Sequence, residues 1–266
     1  MNIIINADDF GISAGANQAI AALHKKGVLS SATLLVDLPY AKDAAEIAKK
    51  QNLPTGLHFN LTLGPFAKYK NRADFERQLL FGHVRLKFIK EELNRQYQKM
   101  LDLGLTPTHI DSHQHVHNWP QLFPVFARFA RDKKIPLRLV LEKPVFNKYD
   151  KIQAGDFKQL WRKTAALIFG GWNLLTAKLL RAQTNSSLTS IFALWPRAAR
   201  PEPKHLRLLL NKLKDRAEYM CHPIASAENT PTSITATSLQ EYALMTNSEF
   251  FAMLANKFHL INFGEL

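Results

Sequence analysis

Six histidines and several carboxylates of this 266-residue chain fall where apolar segments end, and these residue types can bind a metal or move protons. Asp8 and Asp9 follow the apolar run NIIINA. His58 and Asn60 lie in TGLHFNLT. His222 follows EYMC. Most concentrated is HIDSHQHVH, which places four histidines and one aspartate between His109 and His117, all at odd positions. On a strand, alternate residues share a face. Imidazole and carboxylate together suit zinc or another divalent first-row ion. Three such ligands with an open position would activate a water and polarise a carbonyl. A free carboxylate could then accept the water's proton and a histidine could protonate a leaving amine. Plainer roles stand beside these: a helix-capping turn for the acidic pair, a packed core histidine for His58, and a solvated polar face for the cluster.

The elements that must position these residues alternate in type. Short apolar strands are expected at 2–7, 31–36, 55–62, 108–112, 136–140, 218–221 and 258–263. Helices are expected near 13–26, 40–50, 76–103, 120–133, 156–183, 203–216 and 239–256. Strands alternating with helices imply a parallel sheet covered on both faces. The expected fold is α/β: one (β/α) barrel-like domain over 1–266, with seven or eight parallel strands and the active site at the strand C-terminal ends. A doubly wound open sheet is the alternative.

Lys plus Arg number 35 and Asp plus Glu 22, a formal charge of +13. That suits an anionic partner, yet no nucleic-acid motif accompanies it, and none is expected to bind. The single cysteine, Cys221, rules out an internal disulfide and fits a reducing compartment. The start of the sequence carries no signal-like pattern and no apolar run is long enough to span a bilayer, so a cytoplasmic location is expected.

Four strings, NADDFG (6–11), GLHFNLT (56–62), PTHIDSHQHVH (107–117) and MCHP (220–223), together resemble the YdjC-like carbohydrate deacetylase family, including its chito-oligosaccharide and hopanoid-associated branches. The resemblance implies hydrolysis of an N-acetyl group on an N-acetylglucosamine-type sugar, and one divalent metal ion, Mg2+ or Zn2+. Carried over by position, Asp9, His58 and His113 are the metal ligands, Asp8 is the general base, His222 the general acid, and Arg138 in PLRLV orients the base. Asn60, His115 and Trp195 are candidate substrate contacts, with Phe192 as a further ring that could stack on a sugar.

The stretch 146–201 departs from the sugar-specific pattern and is expected to be a variable helical insertion. Within it, Leu160, Leu167, Ile168, Leu175 and Leu179 approximate one helical face, with Arg162, Lys163, Lys178 and Arg181 around it. It reads as a core-facing helix with a solvated rim, or as a helix lying on a membrane and presenting a glycolipid to the site. A non-catalytic sugar- or metal-binding protein and a two-metal phosphoesterase are the competing functions. A homodimer is the default assembly.

Overall fold

The run Ile3, Ile4, Ile5 is wholly buried, which requires cover on both faces of its strand. In the computed structural model, which describes residues 1–153, 155–198 and 200–266, that strand is the centre of a parallel sheet. In chain order the elements are β1 (Asn2–Phe10), α1 (Ala14–Lys25), β2 (Ser31–Leu34), α2 (Ala41–Gln51), β3 (Thr55–Phe59), α3 (Arg72–Leu80), α4 (Leu86–Asp102) and β4 (Ile110–Ser112). Then come α5 (Phe123–Lys133), β5 (Val145–Phe146), α6 (Asp156–Leu180), β6 (Leu188–Thr189), β7 (Leu194–Trp195), α7 (Pro203–Leu210), β8 (Ala217–Cys221), α8 (Thr235–Met245), α9 (Ser248–Lys257) and β9 (His259–Leu260). The sheet runs β4-β3-β2-β1-β8-β6, with β9 also paired to β1, and every pair is parallel. β5 and β7 form a separate two-stranded pair.

The two sheet edges approach one another through isolated parallel bridges, Ile110 to Leu137, Leu137 to Thr184 and Glu142 to Leu188, so the sheet curls toward a barrel. Residues 136–140, expected as a strand, make only such bridges. The reason is a side chain. The Asn185 Oδ1 accepts from the Leu139 backbone N–H at 2.6 Å, and its amide donates to the Leu139 carbonyl at 3.3 Å. One asparagine thus does what a neighbouring strand would do.

Other boundaries differ for equally local reasons. The single helix expected at 76–103 is α3 and α4, parted at Gly82, whose φ of +71° is left-handed. The helix expected at 239–256 is also two, because the Asn247 side chain accepts from the Glu249 N–H and starts a new one. The helix expected to 216 stops at Leu210, and the one expected from 120 starts at Phe123. Nor is 146–201 an insertion throughout, since it supplies β6 of the main sheet. Among the described residues, no helix is long and apolar enough to cross a membrane.

Candidate metal centre

In a regular strand Asp8 and Asp9 would point to opposite faces. The register of β1 against β2 slips between Ala7 and Phe10, and Asp9 takes a φ of +63°. This bulge lets both buried carboxylates line one cleft, together with His222 and Pro223. Gly11 follows with a φ of +90°. A Cβ there would lie 3.1 Å from the Ala41 backbone, so glycine suits the turn on both counts.

His58 stands on β3 opposite Asp111 on β4. Its Nδ1 lies 2.6 Å from Asp111 Oδ1, and its Nε2 3.3 Å from Asp9 Oδ1. If Nδ1–H donates to Asp111, Nε2 presents a lone pair toward Asp9. That is the carboxylate–histidine arrangement that orients metal-bound imidazoles. His113, the first residue beyond β4, places Nδ1 3.1 Å from the same Asp9 oxygen. The backbone then turns sharply, with left-handed Gln114 and His115.

Asp9, His58 and His113 therefore converge through one atom each. With metal–ligand bonds of about 2.1 Å, adjacent donors sit about 3.0 to 3.4 Å apart in octahedral or tetrahedral coordination. The separations of 3.1 and 3.3 Å match that spacing, and one anion with two imidazoles is a suitable donor set. The carboxylates around the imidazoles favour positive charge here. Burial disfavours a charged His58, but Asp111, Asp9 and Asp8 outweigh it and raise its pKa to about 10. Burial likewise opposes ionisation of Asp9, yet His113 and His58 hold its pKa well below the carboxylate range.

Beneath the centre lies Arg138, fully buried. Its guanidinium donates to Asp8 at 2.7 and 2.6 Å and to Glu218 at 2.5 Å, and lies 2.6 Å from Asp111 Oδ2. Asp8, His58 and Asp111 also cluster closely enough to suggest a second cation site. The cation that the two carboxylates share is Arg138. Despite burial, Arg138, His58 and His222 keep the Asp8 carboxyl well below its ordinary pKa. Asn6 fixes the same carboxylate from its own strand at 2.9 Å. Glu218 is the acid that sequence reasoning missed. Burial raises its pKa to about 7, with Arg138 opposing and Asp8 and Asp111 adding to the rise. Its only signal was a charge inside the apolar string AEYMC.

His222 follows β8 and brings Nε2 to 4.0 Å from Asp8 Oδ2. Its backbone N–H donates to Glu241, which also accepts from the Tyr219 hydroxyl. Its Nδ1 is buried without a hydrogen-bond partner. Asp8, Asp9, His58, His113, Arg138 and His222 thus form one connected group.

The sequence matches the model of the YdjC-like protein family over residues 2–256. The chain belongs to that family. A chitooligosaccharide deacetylase of Proteus mirabilis is 36% identical over 173 residues, 58% of this chain and 66% of the relative. A carbohydrate deacetylase of Geobacillus stearothermophilus is 43% identical over 145 residues, 52% of this chain and 59% of the relative. The matched region thus spans about three-fifths to two-thirds of these relatives. Among solved structures, one from Enterococcus faecalis V583, described as a candidate cellobiose-phosphate cleavage protein, superposes with a TM-score of 0.72 at 24% identity. It covers 99% of this chain and 97% of the other, a likeness of fold.

Not every candidate of this YdjC-like chain joins the group. β4 ends at Ser112, so His113 to His117 lie in a 3-10 turn and their odd spacing is not a strand face. His117 is enclosed between the Ser112 hydroxyl at 2.5 Å and the Arg138 carbonyl at 3.1 Å, with its pKa lowered to about 3 chiefly by burial. It holds the backbone of Arg138. His109 stacks on Phe263 at 3.8 Å. Burial holds His115 neutral, and its Nδ1 has no hydrogen-bond partner. The Asn60 side chain is committed to the backbone of Thr62 and Leu63 and shapes the loop after β3. Trp195 gives its indole N–H to the Asp156 carbonyl and packs edge-on against Phe146. Phe192, by contrast, has its ring 5.9 Å from that of His222.

Proposed function

We propose that this chain is a metal-dependent hydrolase that removes the acetyl group from an N-acetylated amino sugar, releasing acetate and a free amine. The observation that carries this reading is the convergence of Asp9, His58 and His113, with Asp8 and His222 beside them. The names of the relatives support the substrate class. We take 1–266 as one deacetylase domain whose variable part is 146–201, acting in the cytoplasm.

Asp9, His58 and His113 would hold the ion. Two imidazole nitrogens favour zinc or another first-row ion over magnesium, which prefers oxygen. The ion would supply Lewis-acid polarisation of the amide carbonyl and acidify the attacking water. Asp8, kept ionised by Arg138, accepts the proton of that water. Arg138 fixes both oxygens of Asp8, so the base is aimed as well as charged. His222, 4.0 Å from Asp8, gives a proton to the departing nitrogen. The sugar would enter over the cleft beside His222, where Phe192 offers an aromatic face, with His115 kept as a further candidate contact. In this reading Asn60 shapes the rim of the site and Trp195 supports it. The two-metal phosphoesterase alternative is disfavoured because Arg138 already occupies the second acidic cluster.

The test is acetate release from N-acetylglucosamine oligomers and N-acetylated glycolipids, using chelated protein with single metals added back. Activity should return with one equivalent of ion. His58→Ala and His113→Ala should each lose ion and activity. Full metal content in both variants, or hydrolysis untouched by chelation, would overturn the assignment.

A further inference from the structure

The long helix α6 packs Leu174, Ala177 and Leu180 on the core yet carries most of its largest apolar side chains on the opposite side. Among the described residues its buried positions are Asp156, Lys163, Gly170, Asn173 and Ala177. Lys163 donates to the Phe192 carbonyl and pairs with Glu142, and Asn173 donates to Asn118 at the end of the turn that carries His113. Gly170 sits so close to Val140 that a Cβ would come within 2.5 Å of its carbonyl oxygen. The inner face is therefore fixed by polar bonds, a close backbone approach and the packing of Phe169, Leu174, Ala177 and Leu180. What remains outside is Phe157, Trp161, Ile168, Trp172, Leu175 and Leu179, between 58% and 83% exposed.

Their spacings of four, seven, four, three and four residues put all six on one stripe, about 33 Å long. At roughly 200 Å2 per large side chain, they expose on the order of 800 Å2, beyond the 300–600 Å2 usual for the largest patch of a monomer. From Phe157 to Arg181 the sequence has five basic residues and no acid. Arg162, Lys178 and Arg181 of these are exposed. A second copy of the chain would bring like charges together, which disfavours self-association by this face. An anionic bilayer supplies both an apolar interior for the stripe and negative headgroups for its flanks. Two exposed tryptophans suit the headgroup boundary.

We propose that the outer face of α6 docks the protein on an anionic lipid surface, lying in the interface without crossing it. Because the inner face of α6 is bonded beside His222 and to the His113 turn, docking would hold the catalytic cleft next to the membrane.

The test uses the whole protein with vesicles of phosphatidylcholine, with and without phosphatidylglycerol. Co-sedimentation should require phosphatidylglycerol and weaken as salt rises to about 0.5 M. Tryptophan emission should shift to the blue on binding. Each basic residue near such a surface contributes about fivefold to partitioning, so Arg162→Gln, Lys178→Gln and Arg181→Gln combined should weaken it about 100-fold. Trp161→Gln, Ile168→Gln and Leu175→Gln combined should abolish the blue shift with the thermal midpoint unchanged, since these side chains face solvent. Absence of sedimentation at every salt overturns the proposal. So does binding that survives both sets of substitutions, or a dimer in light scattering that the apolar set dissociates.

Discussion

Replacing Arg138 by methionine tests the reasoning most directly, because it keeps much of the side-chain volume and deletes one charge. The guanidinium is fully buried and touches Asp8, Asp111 and Glu218. Without it, three carboxylates share a site that excludes water. Breaking a buried ion pair from one side costs about 3–5 kcal/mol. For a chain of this size each kcal/mol lowers the melting temperature by about 2–4 °C, so the expected fall is roughly 6–20 °C at pH 8. The loss must also depend on pH. Glu218 ionises near 7 in the fold against 4.5 when unfolded, so its ionisation costs stability as pH rises through that window. Arg138→Met removes the group that opposes this rise and moves the Glu218 pKa higher. The gap between wild type and variant should therefore be smaller at pH 5 than at pH 8. Glu218→Gln placed on Arg138→Met should recover part of the loss. Calorimetry across pH 5–8 is the measurement. A melting point within 2 °C of wild type at pH 8, with no change in the gap at pH 5, would refute the buried-charge account of this site.

Three further outcomes follow from the same geometry. Asp8→Asn should retain metal and fold while losing on the order of 10²-fold or more in turnover, and near-normal turnover with lost metal would exchange the roles of Asp8 and Asp9. Asn185→Leu leaves the Leu139 amide without its acceptor, at about 1–3 kcal/mol, and should speed hydrogen exchange at Leu139 above that of Ile110. Burial opposes ionisation of Asp37, but hydrogen bonds from Arg95 and Lys99 lower its pKa below 3.8. Its contribution is therefore present above that value and lost as pH falls through the lower folded pKa, so acid unfolding of Asp37→Asn should show a shallower pH dependence below 4.

The strands β1, β2, β3, β4 and β8 and their parallel sense were legible because each is a short apolar run set between helices; their order in the sheet was not. The residues proposed to hold the ion were picked out in the same way, since His58 and His113 fall where apolar strands stop, and the fold brings them together with Asp9. What was hidden depended on single side chains acting at a distance. Asn185 replaces a strand at Leu139, which no local pattern around 136–140 announces. The histidine cluster looked uniform, yet only His113 of it reaches Asp9: a left-handed turn at Gln114 and His115 takes His115 and His117 out of strand periodicity, and His109 stacks on Phe263. Glu218 was passed over as part of an ordinary strand. α6 misled in another way. Its periodicity was real, but a lysine, an asparagine and a glycine share the inner face with Leu174, Ala177 and Leu180, leaving Ile168, Leu175 and Leu179 outside.

β1 lies at the middle of the sheet and completes its pairing only with distant parts of the chain, Ile3 beside Ala217 and Asn2 beside His259. A ribosome delivers this strand long before either partner. Until residue 217 has emerged, one side of the buried central strand has no neighbour, and Asp8 waits for both Arg138 and the fixed position of Glu218. The polypeptide must therefore keep an open apolar edge through most of its synthesis. Nascent chains halted before β8 are the ones that holding chaperones should capture most, and release should coincide with the arrival of Ala217–Cys221.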